Sequence, residues 1–206
     1  MRLPVAGALA CALVFLAPAA PAAARPHAVI AFLPPGPGEH RPLLDELAAR
    51  GMAIGVTSPT VGGFKVRQVG LDMSQGARIP TRLYSKEIGS LRLRGGRLEG
   101  WDVALRRANK APGDLVPGLL AQTILDAGGS VGWSGLRGRF TIGPIVAADE
   151  KGRVSPRHPG DTLGVVDLAP GAAGLRELDR LLARRGPDDF VYVVRAPYGR
   201  KLQLLP

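Results

Sequence analysis

Ala28-Val29-Ile30-Ala31-Phe32-Leu33, entered from His27, is apolar at every position and stops at Pro34-Pro35-Gly36-Pro37-Gly38. A run this short and this continuous predicts a strand buried on both faces. The prolines end it, because proline has no N–H to give to a ladder. The next segment, Pro42-Leu43-Leu44-Asp45-Glu46-Leu47-Ala48-Ala49-Arg50-Gly51, carries leucines at helical spacing, proline in the first turn, acidic residues early and glycine as the stop. That predicts a helix. Met52 to Val56 then reads as a second strand, which makes a β-α-β unit.

The same alternation continues outward. Helices are expected near Trp101 to Asn109 and over Pro117 to Gly128, where Leu119, Leu120, Ile124 and Leu125 form a stripe. A strand follows at Ser130 to Trp133. Thr162 to Leu168 (TLGVVDL) is another buried-type strand, Gly174 to Arg184 a helix with Leu175, Leu178, Leu181 and Leu182 on one face, and Phe190 to Arg195 (FVYVVR) the last strand. Continuous apolar strands separated by helices predict an α/β fold, a mainly parallel sheet with helices on both faces. Two regions resist the scheme. Gly62 to Ser90 has no period, and Leu91 to Glu99 alternates like a small hairpin around Gly95-Gly96; both are expected at the sheet's carboxyl edge or over one face.

Residues 1–24 read as a signal peptide: Arg2, an apolar run from Val5 to Leu16, and Ala22-Ala23-Ala24 before Arg25-Pro26. The apolar run is short for a bilayer span of roughly 20 residues, so cleavage after Ala24 is expected, with a retained anchor as the alternative. Cys11 lies inside the apolar run after a poor lipobox, Ala8-Leu9-Ala10, which leaves lipidation a minor alternative. Residues 25–206 then form a single domain with no cysteine, stabilised by its core and not by disulfides. The formal charge of +10 is carried mostly by arginines dispersed along the chain. Dispersed basicity suits an anionic envelope polymer or lipid surface, and equally mere solubility. Export and the lack of an aromatic-interleaved basic motif argue for no nucleic acid partner.

The order of these segments resembles a known family. The apolar strand, the helix ending Ala48-Ala49-Arg50-Gly51, the glycine-rich stretch and Gln75-Gly76-Ala77-Arg78 are similar to the N-terminal part of exported, actinobacterial-type members of the alkaline phosphatase-like superfamily. Arg106-Arg107-Ala108-Asn109, Pro117-Gly118-Leu119-Leu120 and Ala127-Gly128 resemble the segment before a central strand. Asp149-Glu150-Lys151-Gly152-Arg153-Val154 resembles a D-x-x-G-R-V turn, and Val165-Val166-Asp167-Leu168 the strand after it. The resemblance implies an alkaline-phosphatase-like fold, here incomplete and C-terminally truncated. A truncated domain would leave a sheet edge or face uncovered, so self-association or an envelope protein partner is expected.

Carried over residue by residue, the resemblance implies lost catalysis. Catalytic members end the first strand with Asp-Gly; here Leu33-Pro34-Pro35-Gly36 stands there. The nucleophilic Thr or Ser falls on Lys65-Val66, an Asp-x-x-x-His pair starting at Asp167 meets Gly171, and Asp-His-Gly falls on Pro197-Tyr198-Gly199. Metal-assisted phosphoryl transfer needs convergent carboxylates and imidazoles beside an activated nucleophile. The expectation is therefore a pseudoenzyme of the cell envelope, a scaffold or binding module, with no catalytic residues, no metal site and no cofactor. An anionic ligand near Lys65, Arg67 and Arg78 is the one binding site the residues suggest. The alternatives are a metal-dependent phosphoric-ester hydrolase rebuilt around Asp167, Ser74 or the loop histidines His40 and His158 with Asp161, and a fragment of a larger membrane-anchored protein. Gly132-Trp133-Ser134-Gly135 lacks the spacing of a nucleophile elbow, and the glycines at 113–118 and 128–129 lack phosphate-loop and dinucleotide patterns.

Overall fold

A computed structural model describes residues 27–34, 42–55, 66–135 and 142–195. The sheet is built from four parallel strands: β1 (Ala28–Phe32), β4 (Val131–Gly135), β5 (Leu163–Asp167) and β6 (Phe190–Val194), in the order β4-β5-β1-β6. A separate two-stranded hairpin joins β2 (Arg92–Arg94) to β3 (Arg97–Glu99). Its turn residues Gly95 and Gly96 have φ of 56° and 74°, the left-handed pair a tight hairpin requires. The fold is thus α/β with helices on both faces of a parallel sheet.

The two faces follow from strand periodicity. Ala31 and Leu33, with Val166 and Leu168, pack against Leu47 of α1 (Pro42–Ala49) and Leu175, Leu178 and Leu181 of α6 (Ala172–Ala183). Arg50, just past α1, ties the two helices together through a 2.7 Å bond from Nε to Asp179. The opposite face, Phe32, Val131, Leu163 and Val165, meets a thicker layer. That layer comprises α2 (Val66–Ser74), the hairpin, α3 (Trp101–Ala108), α4 (Leu119–Asp126) and the short buried α5 (Gly143–Ala147).

Three elements depart from the sequence reading. Met52–Gly55 is not a strand: only Met52 packs against the core, while Ala53, Ile54 and Gly55 are exposed, so the segment has no face to bury in a sheet. The stretch without a period contains α2. Its buried residues are Gln68, Gly70, Leu71 and Ser74, a face mostly polar or small, which carries no apolar stripe. Gly70 is small because α5 crosses it; a Cβ there would lie 2.8 Å from Ile142 Cγ2. α5 itself is buried at every position and so has no polar face to give it a period.

One turn organises the thick layer. Oδ1 of Asp149 accepts from the backbone N–H of Lys151 (2.9 Å) and of Arg153 (2.8 Å), and Oδ2 accepts from Arg153 Nε (2.6 Å). The turn so fixed receives the hairpin, through Leu98 N–H to Gly152 O and Val154 N–H to Gly96 O, both 2.8 Å. Trp101 at the start of α3 donates from Nε1 to Glu150 O at 3.1 Å. Gly118, at φ 91°, brings the start of α4 so close that a Cβ would fall inside the Asp149 carbonyl.

Among the described residues, no helix is long and apolar enough to cross a membrane.

Candidate functional site

In an open parallel sheet the place for a ligand is the carboxyl end of the strands. Here β5, β1 and β6 end side by side: Phe32 is in register with Asp167 on one flank and Val194 on the other. The residues at those ends are Phe32-Leu33-Pro34, Asp167-Leu168 and Val194-Arg195, and β4 adds Ser134-Gly135. Asp167 is the one carboxylate in that row.

Asp167 is buried and its carboxylate is held by neighbours. The indole Nε1 of Trp133 donates to Oδ2 at 2.6 Å, and the backbone N–H of Gly143, opening α5, donates to Oδ1 at 3.2 Å. Two glycines exist to allow this. A Cβ on Gly135 would sit 2.8 Å from the Trp133 ring and 3.0 Å from Asp167 Cβ, and one on Gly143 would lie 2.6 Å from Trp133 Nε1. The glycines around Ser134 therefore serve packing: Gly135 makes room for Trp133 and Asp167, while Gly132 makes room for the backbone at Pro156 and Arg157.

The alternative catalytic residues are scattered. Ser74 is wholly buried, and its hydroxyl donates to Leu71 O at 3.0 Å within α2. Asp161 lies before β5, at the amino end of the sheet. Its Oδ2 accepts the His158 backbone N–H at 2.7 Å, and its carbonyl is 3.0 Å from His27 Nδ1, a contact that puts the ring hydrogen on Nδ1. His158 and Asp161 thus close a loop at the end of the sheet opposite Asp167. His40 lies outside the described residues, as do Lys65 and Pro197-Tyr198. Among the described residues, no three His, Cys, Asp or Glu side chains are grouped to hold a metal ion.

Of the residues expected to meet an anionic ligand, Arg67 is half-buried in the first turn of α2 and Arg78 is exposed beyond its end. Arg78 Nε faces Asp72 Oδ2 at 3.9 Å. That aspartate belongs to a polar cluster the sequence did not reveal. Asp72 Oδ1 accepts from Gln68 Nε2 (2.6 Å) and Gln75 Nε2 (3.3 Å), both amides also donate to Tyr84 OH (3.3 and 3.1 Å), and Arg107 stacks on the Tyr84 ring at 3.4 Å. Burial pushes the Asp72 carboxyl up, against the lowering pull of the Gln68 bond and the Arg78 and Arg107 charges. Burial likewise pulls the Arg107 guanidinium down. Arg107 Nη2 and Gln68 Oε1 are buried with no partner among the described residues. The signal that existed was Gln68, Asp72 and Gln75 at helical spacing, which brings them to one side of α2 and the turn that follows it.

A shallow, open depression of about 400 Å³ is lined by Arg94, Arg97, Leu98, Glu99, Gly100, Trp101 and Asp102, none of them from the sheet's carboxyl ends. Compared with known proteins, the chain matches no family model, and no curated protein or solved structure is detectably similar to it.

Proposed function

We propose that this chain is a non-catalytic, alkaline-phosphatase-like domain of the cell envelope, acting as a scaffold or binding module. The observation that carries the reading is the state of Asp167. In the resembling family, ligands from the first strand, from the Asp-x-x-x-His strand and from the Asp-His-Gly strand must converge on bound cations, which requires those three strands to be neighbours. The strands to which the resemblance assigns those motifs, β1, β5 and β6, are neighbours in the sheet. Their ends offer Pro34, Asp167 and Arg195, and the single carboxylate is engaged by Trp133 and Gly143.

Divalent cations need several oxygen or nitrogen donors to offset their dehydration. Among the described residues at the strand ends, the one carboxylate, already accepting two hydrogen bonds, does not supply them. The chain's basic residues suit an anionic ligand such as a phosphate-bearing envelope polymer, with Arg67 and Arg78 of the α2 region, and Lys65 ahead of them in sequence, as the candidates.

The test is elemental analysis of the purified chain together with a phosphatase and phosphodiesterase screen. No stoichiometric zinc or magnesium and no turnover are expected. Stoichiometric metal, with turnover abolished by Asp167→Ala, would establish the hydrolase reading in its place.

A further inference from the structure

We propose that β6 pairs antiparallel with β6 of a second copy of this chain, about a two-fold axis at Tyr192, joining the two four-stranded sheets into one.

The sheet's two edges are treated differently. At the β4 edge, residues 155–157 lie alongside the strand: Trp133 N–H donates to Ser155 O and Arg157 N–H to Trp133 O, both at 2.9 Å. At the other edge β6 has β1 on one side and, among the described residues, no strand on the other. An edge of this kind is a template for another strand, and none of Phe190-Val191-Tyr192-Val193-Val194 carries a charge or is a proline to blunt it.

The hydrogen-bond phase fixes which residues offer their backbone. Phe190 N–H bonds to His27 O, and Val194 O accepts from Leu33 N–H. Even-numbered residues of β6 therefore turn their backbone groups toward β1, and Val191 and Val193 turn theirs outward. In an antiparallel pair centred on Tyr192, Val191 stands opposite Val193 of the second copy and Val193 opposite its Val191. Both outward residues then form the hydrogen-bonded pairs. Shifting the centre to Val191 or Val193 shortens the paired stretch.

Side chains support the same register. Phe190 and Tyr192 stack at 6.3 Å between ring centroids and are 56% and 57% exposed, an unusual state for two large rings. The pairing sets Tyr192 against Tyr192 and Phe190 against Val194, in non-hydrogen-bonded positions where side chains come closest. Just beyond, it sets Asp189 of each copy, whose carboxylate accepts from the His27 and Gly186 amides of its own chain, opposite Arg195 of the other, a facing of opposite charges that favours this register. The contact is isologous, as a two-fold dimer requires. Because the strand is short, the interface falls in the weak, concentration-dependent class below ~1,200 Å².

Sedimentation equilibrium of the wild-type chain should show a monomer–dimer equilibrium. Arg195→Asp, which opposes like charges, should weaken it about tenfold, and Val193→Pro, which removes an outward N–H, should abolish it, with circular dichroism confirming that each variant is folded. In a Cys11→Ser background, Tyr192→Cys places the introduced thiols ~4.5 Å apart by Cα, within disulfide reach, whereas Phe190→Cys leaves them about 13 Å apart along the strands. Air oxidation should link the first and not the second. A wild-type chain monomeric up to ~1 mM, a dimer indifferent to Arg195→Asp and Val193→Pro, or equal cross-linking at both positions would overturn the proposal.

Discussion

Trp133 and Asp167, on adjacent parallel strands, are joined by a 2.6 Å hydrogen bond from indole Nε1 to carboxylate Oδ2. The bond closes the carboxyl end of the sheet with a part-buried polar contact.

Removing the acceptor takes the partner from two donors, the half-buried Trp133 indole and the buried Gly143 amide. Asp167→Ala is expected to lower unfolding free energy by about 3 kcal/mol and Trp133→Phe by about 1–2 kcal/mol. A double-mutant cycle in urea should return a coupling of about 1 kcal/mol or more. Additive effects would mean the bond carries no stability.

The Asp72 carboxyl, pushed up by burial, gives a signed pH dependence. An acid whose folded pKa exceeds its unfolded one contributes stability that is complete below the unfolded value, near 3.8, and is lost as pH rises through the folded value. Asp72→Asn should therefore match or exceed wild type in Tm at pH 7 and lose that advantage toward pH 3. Asp179 has the opposite slope, because the Arg50 hydrogen bond holds its carboxyl low. Its stabilisation is present above the usual carboxylate range and fades as pH falls through the lowered value. Melting curves of Asp179→Asn should thus fall below wild type at neutral pH only, and less so in high salt.

Two glycines with positive φ separate backbone strain from lack of space. At Gly76, φ 63° with nothing within 4 Å of a built Cβ, alanine should cost about 1–2 kcal/mol, the left-handed penalty alone. At Gly118, φ 91° against the Asp149 backbone, the loss should exceed ~3 kcal/mol. Comparable losses at the two sites in chemical denaturation would remove the close approach of α4 to the Asp149 turn from the list of stabilising contacts.

The export expected for residues 1–24 can be tested directly. On the signal-peptide reading, Arg2, the apolar run to Leu16 and Ala22-Ala23-Ala24 would direct cleavage before Arg25. N-terminal sequencing of secreted material should start at Arg25; a start at Met1 would sink the signal-peptide reading.

Much of the fold was legible because its signals are local. The runs that became β1, β5 and β6 are continuous and apolar between clear breakers, and Leu175, Leu178, Leu181 and Leu182 trace the inner face of α6 at helical spacing. α2 and α5 were not legible, the first because Gln68, Gly70 and Ser74 face inward, the second because every residue does. The candidate site was legible only as residue types. That Asp167 would be met by Trp133 depends on Gly135 and Gly143 being small enough to let ring and carboxylate meet across strands, a relation between segments that no periodicity records. The polar cluster of Asp72, Tyr84 and Arg107 is hidden for the same reason.

The position of β1 between β5 and β6 also sets the order in which this chain becomes a protein. Ala28 pairs with Leu163 and with Phe190, so the first strand to emerge has no neighbour until nearly all of the chain has followed. Loop closure over such spans is slow. Until it happens, Ala28 to Leu33 is a bare apolar strand, and a chain stopped short of β5 holds its central strand permanently open to aggregation or proteolysis. Refolding rates should respond to substitutions at the β1–β5 contact, such as Ile30 and Val165, far more than to equal losses in the early helix around Leu47.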